Sequence, residues 1–410
     1  KHSGGNVVSL NSPTNAPGAA DVAFKLPNAD GSDGQALVTD GAGNLSFANA
    51  GSGRARNLII NGAMQVAQRG TSSTTNGYGS VDRFAIESSG VDEAPTHSQV
   101  DLTSSDTPFS LGFRKALRIT NGNQTSVGTS DFINLSQPIE AQNIAQSGWN
   151  YTSTSSFITL SFWVRSSVSQ DFKGYLSMED GTERSYPYAT GTLTANTWTK
   201  ITKVIPGSSN PLLQADNNSS KGFNFSLWPF IGSDYTNNSV TENAWMTFAG
   251  GTRTKDSLSD WYEANDATFD ITGVQLEVGS VATDFEHRSF AQELALCQRY
   301  FEKSYRYEDA VGATNFNGGI DINISSNQHG TAVYHLRFFK EKRTQPTVIV
   351  YRGDTGANGE WQYGRSGNNT AYASVTTDNL STKSARAYLA VGVAYTPCYI
   401  AGHYTAEAEL

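Results

Sequence analysis

The stretch that decides the fold reads Arg56-Asn57-Leu58-Ile59-Ile60-Asn61-Gly62-Ala63-Met64-Gln65-Val66-Ala67-Gln68-Arg69-Gly70, and Val81-Asp82-Arg83-Phe84 follows it after a loop rich in Ser, Thr and Gly. A short apolar run, an Asn-Gly turn and a second alternating run predict a strand-turn-strand unit. The Arg83-Phe84 pair then predicts the start of the next strand. The stretch therefore indicates the opening of a β-sandwich and not an enzyme site.

The composition indicates a strand-rich chain of two or three domains. Of the 410 residues, 16% are charged, 11% are aromatic and 39 are Gly, a balance typical of β architectures with many turns. We therefore expect an all-β protein. The net charge of −9 argues against nucleic acid as a partner, because binding phosphates requires dense Lys and Arg.

Two further classes are disfavoured by what the sequence contains. Its apolar runs are shorter than a membrane-spanning helix, so we expect no membrane insertion. The two cysteines, Cys297 and Cys398, lie far apart in different predicted segments. Their spacing indicates neither a disulfide framework nor a zinc site, and buried free thiols are the plain interpretation.

Turn residues and apolar runs divide the chain into four segments, 1–53, 54–288, 289–304 and 305–410. The first segment contains only two aromatic residues, Phe24 and Phe47, and its strand signals are short. Such strands need apolar partners, which three copies around one axis supply. We therefore predict a trimeric stalk, with a disordered arm as the alternative.

The two long segments, 54–288 and 305–410, show short β runs separated by turn residues. This pattern predicts a large β-sandwich followed by a small one. Between them, 289–304 predicts the one convincing helix, because Phe290, Leu294, Cys297 and Phe301 recur at helical spacing. That stripe either docks onto the neighbouring sandwich or lines a three-helix bundle on a trimer axis, and we favour the bundle.

Several stretches resemble known proteins. The Asn-Leu-Ile-x-Asn-Gly opening, Phe162-Trp163-Val164-Arg165, Thr197-Trp198-Thr199-Lys200 and the closing run 269–279 resemble carbohydrate-binding jelly rolls. The opening, and Leu294 to Phe301, resemble tail-fibre proteins of tailed bacteriophages, particularly those of marine cyanobacteria. The resemblance implies a homotrimeric virion tail fibre that joins other tail proteins through its N-terminal segment and adheres to host surface polysaccharide.

The same resemblance bears on a metal ion. Sugar-binding jelly rolls often hold a structural calcium near the meeting of their first and last strands, and Asp270 stands where such families place an acidic ligand. The opening strand departs from that pattern, because Met64-Gln65 stands where those modules often carry an acidic residue. Calcium at Asp270 is thus an expectation, with a surface acid as the alternative.

The final segment contains the best candidate for sugar binding. Sugars are bound by aromatic faces together with polar side chains that pair with hydroxyl groups. That mixture occurs at Tyr351, Arg352, Asp354, Trp361, Tyr363, Asn368 and Tyr372. Alternatively, Tyr351, Trp361 and Tyr363 lie on a hairpin and fill the core.

Catalytic motifs are weak. The six histidines are scattered singly, and the chain has neither a Gly-x-Ser-x-Gly elbow nor a phosphate loop. Two acid clusters are candidates for glycoside cleavage, one of Glu179, Asp180 and Glu183 and the other of Asp260, Glu263 and Asp266. Both read as solvated loop acids, so we expect no enzyme. A structural virion component and a polysaccharide depolymerase remain the alternative functions.

Overall fold

The computed structural model describes residues 25–28, 30, 31, 35–39, 44–49, 56–324, 331–365, 368–390 and 398–410. The chain divides into two compact units, 1–56 and 57–410. It is nearly all-β with short helices, as predicted. Within the described ranges, no helix combines the length and apolar character needed to cross a membrane.

The first unit contains an antiparallel hairpin of β1 (Gln35–Thr39) and β2 (Leu45–Asn49). Leu37 lies directly opposite Phe47, and these residues are 51% and 38% exposed. A hairpin of two strands is marginally stable by itself in water. A further short strand signal, Val22-Ala23-Phe24-Lys25-Leu26, lies mostly outside the described residues.

The second unit begins with a jelly-roll β-sandwich, as predicted. Its first six strands are β3 (Ser72–Ser73), β4 (Ala85–Ser89), β5 (Thr96–Asp101), β6 (Lys115–Thr120), β7 (Phe132–Glu140) and β8 (Phe157–Ser166). The next six are β9 (Asp171–Met178), β10 (Arg184–Thr192), β11 (Thr199–Pro206), β12 (Lys221–Ile231), β13 (Met246–Thr247) and β14 (Thr268–Val278). Helices α1 (Ala141–Ala145) and α2 (Asp260–Glu263) and the 3-10 turns Thr107–Leu111 and Ser233–Tyr235 lie in its loops.

Two antiparallel six-stranded sheets form this sandwich, in the orders β13-β10-β9-β12-β7-β4 and β11-β8-β14-β6-β5-β3. Alternate side chains of each strand face the space between the sheets, as the two-residue period of a strand requires. Phe162 of β8 thus meets Phe225 of β12, with ring centroids 6.0 Å apart. One continuous apolar core fills the sandwich.

The opening stretch differs from the prediction. Residues 56–70, all of them described, contain the expected turn but no strand. Asn61 has a positive φ of 61°, and its carbonyl accepts from the Met64 amide at 2.8 Å. A Cβ on Gly62 would lie 2.1 Å from the Val274 carbonyl oxygen, so only glycine fits at that position.

In this stretch, asparagine side chains make the hydrogen bonds that a neighbouring strand would make in a sheet. The Asn57 side chain donates to the Val274 carbonyl at 3.0 Å and accepts from the Leu276 amide at 3.0 Å. Asn61 donates to the carbonyls of Val66 and Asp82 at 2.8 and 2.9 Å. The stretch is therefore an irregular buried segment whose backbone is satisfied by side chains.

Helix α3 (Phe290–Cys297) follows the jelly roll and is shorter than predicted. Ser289 caps it in a capping box with Gln292. Glu293 and Cys297 are buried, and the Glu293 carboxylate accepts from the Asn61 amide. The helix therefore docks onto the jelly roll within one chain, which was one of the two alternatives.

The four residues of the predicted stripe have different positions. Phe301 lies in a strand and not in the helix, and both Phe301 and Cys297 are buried by contacts within the chain. Leu294 is half-buried, whereas Phe290 is 42% exposed and packs edge-on against Tyr307. The prediction that all four residues line an oligomer interface is corrected accordingly, because the side chains of Cys297 and Phe301 are buried and cannot contact another copy. Trimerisation itself stays a prediction.

The terminal sandwich follows directly. Its strands are β15 (Phe301–Lys303), β16 (Ile320–Ile324), β17 (Thr331–Arg337), β18 (Thr347–Tyr351), β19 (Glu360–Arg365), β20 (Asn368–Asp378), β21 (Ser384–Ala390) and β22 (Cys398–Glu407). Strand β22 pairs with β15, β16, β18 and β19, and the pairing continues through β20 and β21 to β17. Of Cys398 only the backbone is described.

An ion pair and a hydrogen bond join the two sandwiches. Arg83 of the jelly roll pairs with Glu409 of the terminal segment. Arg343 donates to the backbone carbonyl of residue 219 at 2.9 Å. Because these contacts and the pairing of β15 with β22 cross the predicted boundary at residues 304 and 305, the terminal sandwich is best studied within the full chain.

Candidate functional site

The candidate site lies at the loop that joins β18 to β19. The loop is closed by hydrogen bonds from the Arg352 amide to the Ala357 carbonyl at 2.8 Å and from the Gly359 amide to the Val350 carbonyl at 2.8 Å. Strand β20, paired with β19, places Tyr372 beside it. Three of the predicted ligand-binding residues, Arg352, Asp354 and Tyr372, therefore meet on one surface, which we call the terminal cluster.

Charge and stacking fix the geometry of the terminal cluster. Arg352 donates from Nε and Nη2 to the two oxygens of Asp354 at 3.0 and 2.8 Å. Its guanidinium carbon lies 3.4 Å from the centroid of the Tyr372 ring. The Tyr372 hydroxyl completes the triangle by donating to Asp354 at 2.6 Å. A bidentate pair stacked on an aromatic ring is a well-ordered arrangement for surface side chains.

These contacts determine the protonation states. The hydrogen bond from Arg352 holds the pKa of the Asp354 carboxyl well below its usual range. The hydrogen bond to Asp354 raises the pKa of Tyr372. Glu360 adds a second carboxylate, 3.4 Å from Arg352. At neutral pH the cluster therefore presents the ionised Asp354 carboxylate, a guanidinium whose charge this carboxylate partly neutralises, and a phenol.

Phe316 borders the cluster and was not predicted. It is 39% exposed, and a Cβ on Gly353 would lie 2.3 Å from its ring, so the ring rests on the backbone between Arg352 and Asp354. Gln362 lies opposite Tyr372 in register and donates to the Tyr399 hydroxyl at 2.9 Å. The signal for Phe316 in the sequence is that it is an aromatic residue in the polar loop after Tyr305.

The other predicted ligand-binding residues do not join the cluster. Trp361 is fully buried and donates from Nε1 to the His403 carbonyl at 2.9 Å, so its assignment to binding is corrected to core packing. Tyr363 packs against that core, and half-buried Tyr351 lies edge-on to Tyr305. For Asn368 the backbone lies in β20, and its side chain is outside the described residues.

Asp270, the expected calcium ligand, is already paired. Its carboxylate accepts from Arg118 at 2.7 and 3.0 Å and from Arg165 at 3.0 and 2.7 Å. The side chain is 1% exposed. A calcium ion there would face two guanidinium groups, so Asp270 is corrected to an ion-pair residue. In the part of the chain that is described, no three His, Cys, Asp or Glu side chains gather as a metal site would require.

The first of the two acid clusters, Glu179, Asp180 and Glu183, is partly buried. Glu179 pairs with Lys221 at 2.8 Å, and Asp180 accepts from the Asp216 amide at 2.9 Å. Burial, assisted by the charge of Glu179, raises the pKa of Glu183, and a raised pKa is one requirement for a general acid.

The second cluster lies at helix α2. Its acids, Asp260, Glu263 and Asp266, are exposed, whereas Trp261 and Tyr262 between them belong to the jelly-roll core. Solvated surface acids are the arrangement that the sequence predicted for this cluster.

Comparisons with known proteins give distant structural likenesses. No protein-family model and no curated protein sequence matches the chain. A tailspike protein 4 domain of bacteriophage CBA120 is 11% identical, with a TM-score of 0.28, over 54% of this chain and 21% of its own length.

Two bacterial binding domains are similar to the same degree. A xylan-binding domain from Paenibacillus barcinonensis is 10% identical (TM-score 0.27) over 56% of this chain and 100% of its own length. A cellulose-binding domain of a Cellulomonas fimi glucanase is 9% identical (TM-score 0.25) over 53% and 99%. Likenesses this distant do not decide what this chain binds.

Proposed function

We propose that the chain is a homotrimeric tail-fibre protein of a virion and that it adsorbs to host surface polysaccharide without cleaving it. The terminal cluster of Arg352, Asp354 and Tyr372 is the observation that carries the proposal. It combines a 39% exposed aromatic residue with charged hydrogen-bonding groups, which is the chemistry that recognises sugar rings and their hydroxyls. The virion assignment is supported by the sequence resemblance.

The order of the terminal cluster favours binding. Arg352 is held by Asp354 and Glu360, and Tyr372 is held by Arg352 and Asp354. Side chains that are already fixed lose little conformational entropy when a ligand arrives. A single shallow site of this kind is weak, and three copies on one trimer gain avidity without any new contact.

The hairpin of the first unit supports the trimer. Leu37 and Phe47 expose apolar surface on strands that are too few to be stable by themselves. Copies of the same hairpin would bury that surface. Light scattering on the 410-residue chain should give three times the chain mass, and F47D should lower it. A monomeric wild-type chain would refute this part of the proposal.

Adsorption is tested by competition with virions for host cells, using the full-length chain. We expect Y372A to compete about tenfold less well than wild type, because an aromatic contact contributes about 1 kcal/mol at each site and avidity multiplies the loss. The matched control is Y388A, since Tyr388 also lies near an Arg–Asp pair, Arg386–Asp378, in the same sandwich. Equal competition by Y372A and wild type would remove the cluster as the site.

The same preparation separates adsorption from the two alternatives. Incubation of concentrated protein with host polysaccharide should release no reducing sugar, and release that E183Q abolishes would establish a depolymerase instead. A wild-type chain that neither competes nor cleaves would favour a purely structural role.

A further inference from the structure

A cavity of about 400 Å³ opens among the loops around β13 of the jelly roll, far along the sequence from the terminal cluster. Its lining consists of small, hydroxyl-bearing and apolar residues, namely Ser239, Val240, Thr241, Ala244, Trp245, Met246 and Thr252. None of these side chains is charged. The volume lies within the range of small-molecule sites.

Trp245 supplies a fixed aromatic edge, because its side chain is 9% exposed and otherwise belongs to the jelly-roll core. Its indole N–H donates to the Pro206 carbonyl at 2.7 Å, and Tyr186 of the core packs against it with ring centroids 5.3 Å apart. The polar atom of the indole is thus satisfied within the protein. What Trp245 offers to the cavity is apolar contact, which it shares with Val240 and Met246.

Three hydroxyl groups surround this apolar surface. Among the described residues, no hydrogen bond engages the side-chain oxygen of Ser239, Thr241 or Thr252. Each hydroxyl can donate one hydrogen bond and accept two. The cavity therefore combines an aromatic surface with hydroxyls that are free to pair with a ligand.

The loops that form the cavity are anchored on both sides. Asp256 accepts from Thr236 at 2.7 Å and from Asn238 at 2.6 Å. The Asn243 amide donates to the Pro187 carbonyl at 2.7 Å, and the Arg253 amide donates to the Tyr235 carbonyl at 2.8 Å. These bonds hold the lining in place, so a ligand would meet a largely pre-formed site.

We propose that this cavity binds one uncharged pyranose ring, as a second sugar site that is independent of the terminal cluster. The C–H groups of a pyranose contact the exposed edge of Trp245 and the Met246 side chain, and its hydroxyls pair with those of Ser239, Thr241 and Thr252. A uronate or a phosphorylated sugar is disfavoured, because its charge would be desolvated with no cation in the lining.

The test is ligand-detected NMR with the full-length chain. The panel consists of the methyl glycosides of glucose, galactose and mannose, with methyl glucuronide and benzyl alcohol as comparisons. At least one neutral glycoside should give a saturation-transfer signal that Y372A retains, and A244F in the Y372A background should abolish that signal by filling the cavity. The control A249F places the same ring at an exposed position nearby that does not line the cavity.

Hydroxyl-to-methyl variants keep the test valid if A244F fails to fold. In the Y372A background, T241V and T252V should each weaken the remaining binding about 3- to 10-fold, as expected for one lost hydrogen bond. The proposal is overturned if no neutral glycoside binds, if only benzyl alcohol binds, or if A244F, T241V and T252V in that background all bind like Y372A. Loss of the signal in Y372A would assign it to the terminal cluster and would likewise overturn the proposal.

Discussion

The chain builds two arrangements of arginine, aspartate and an aromatic ring, one in each sandwich, and they differ in exposure. In the jelly roll, Asp270 pairs with Arg118 and Arg165, and the Arg165 guanidinium lies 4.7 Å from the Trp198 ring centroid. Asp270 is 1% exposed. In the terminal sandwich the Asp354 side chain is 30% exposed, and Tyr372 is open to solvent.

The difference teaches that residue types alone do not identify a binding surface. The jelly-roll network uses its polar atoms internally, because Arg165 and Trp198 both also donate to Asp106, at 2.8 and 2.9 Å. Its members hold strands β6, β8 and β14 together. The terminal cluster contains the same groups at a surface loop, where they are able to meet a ligand.

The sharpest test of this contrast removes one aspartate from each sandwich. D270N should lower the free energy of unfolding by about 3 kcal/mol, because it leaves two partly buried guanidinium groups without a countercharge. D354N should lower it by at most about 1 kcal/mol, since Asp354 lies at the surface and Glu360 remains beside Arg352 as a second carboxylate. Denaturant unfolding of both variants measures the two values. Similar values for D270N and D354N would contradict the contrast.

Much of the architecture could be predicted, since apolar alternation and turn residues are local signals. The β composition and the two sandwiches followed from them. The strands expected in 56–70 did not form. Instead, the Asn57 side chain bonds to the Val274 carbonyl and the Leu276 amide, and the Asn61 side chain bonds to the Val66 carbonyl. Val274 and Leu276 are so distant from Asn57 in the sequence that these bonds leave no local signal.

The candidate site shows the same limit. Arg352 and Asp354 lie two residues apart, and their pairing is close to a local property. Tyr372 and Trp361 were equally plausible aromatics, and only the strand faces decided that one is exposed and the other fully buried. For Asp270 the neutralising residues come from two other strands, so its role was invisible without the sheet.

A second test exchanges arginine for lysine on each side of the comparison. Lysine keeps the charge but loses the planar, bidentate contact and the stacking. R165K should lower the free energy of unfolding by about 1 kcal/mol and leave adsorption unchanged, whereas R352K should weaken adsorption about threefold with little change in stability. A stability loss in R352K as large as that in R165K would show that the terminal cluster is structural too.

The smallest expected effect concerns one buried histidine in each sandwich. Burial lowers the pKa of both His97 and His403. The rings bond to Ser80 and Thr75 in one case and to Ser304 and Asn315 in the other.

Because the unfolded chain, with a histidine pKa near 6.5, then binds more protons than the folded chain, stability falls as the pH drops through that value. Between pH 7.5 and 6, each histidine should remove up to about 0.8 kcal/mol from the free energy of unfolding. H97Q and H403Q should each flatten that dependence. His403 also holds the loop that carries Phe316, so H403Q should weaken adsorption where H97Q does not. A pH dependence unchanged in both variants would mean that neither ring is kept neutral by burial.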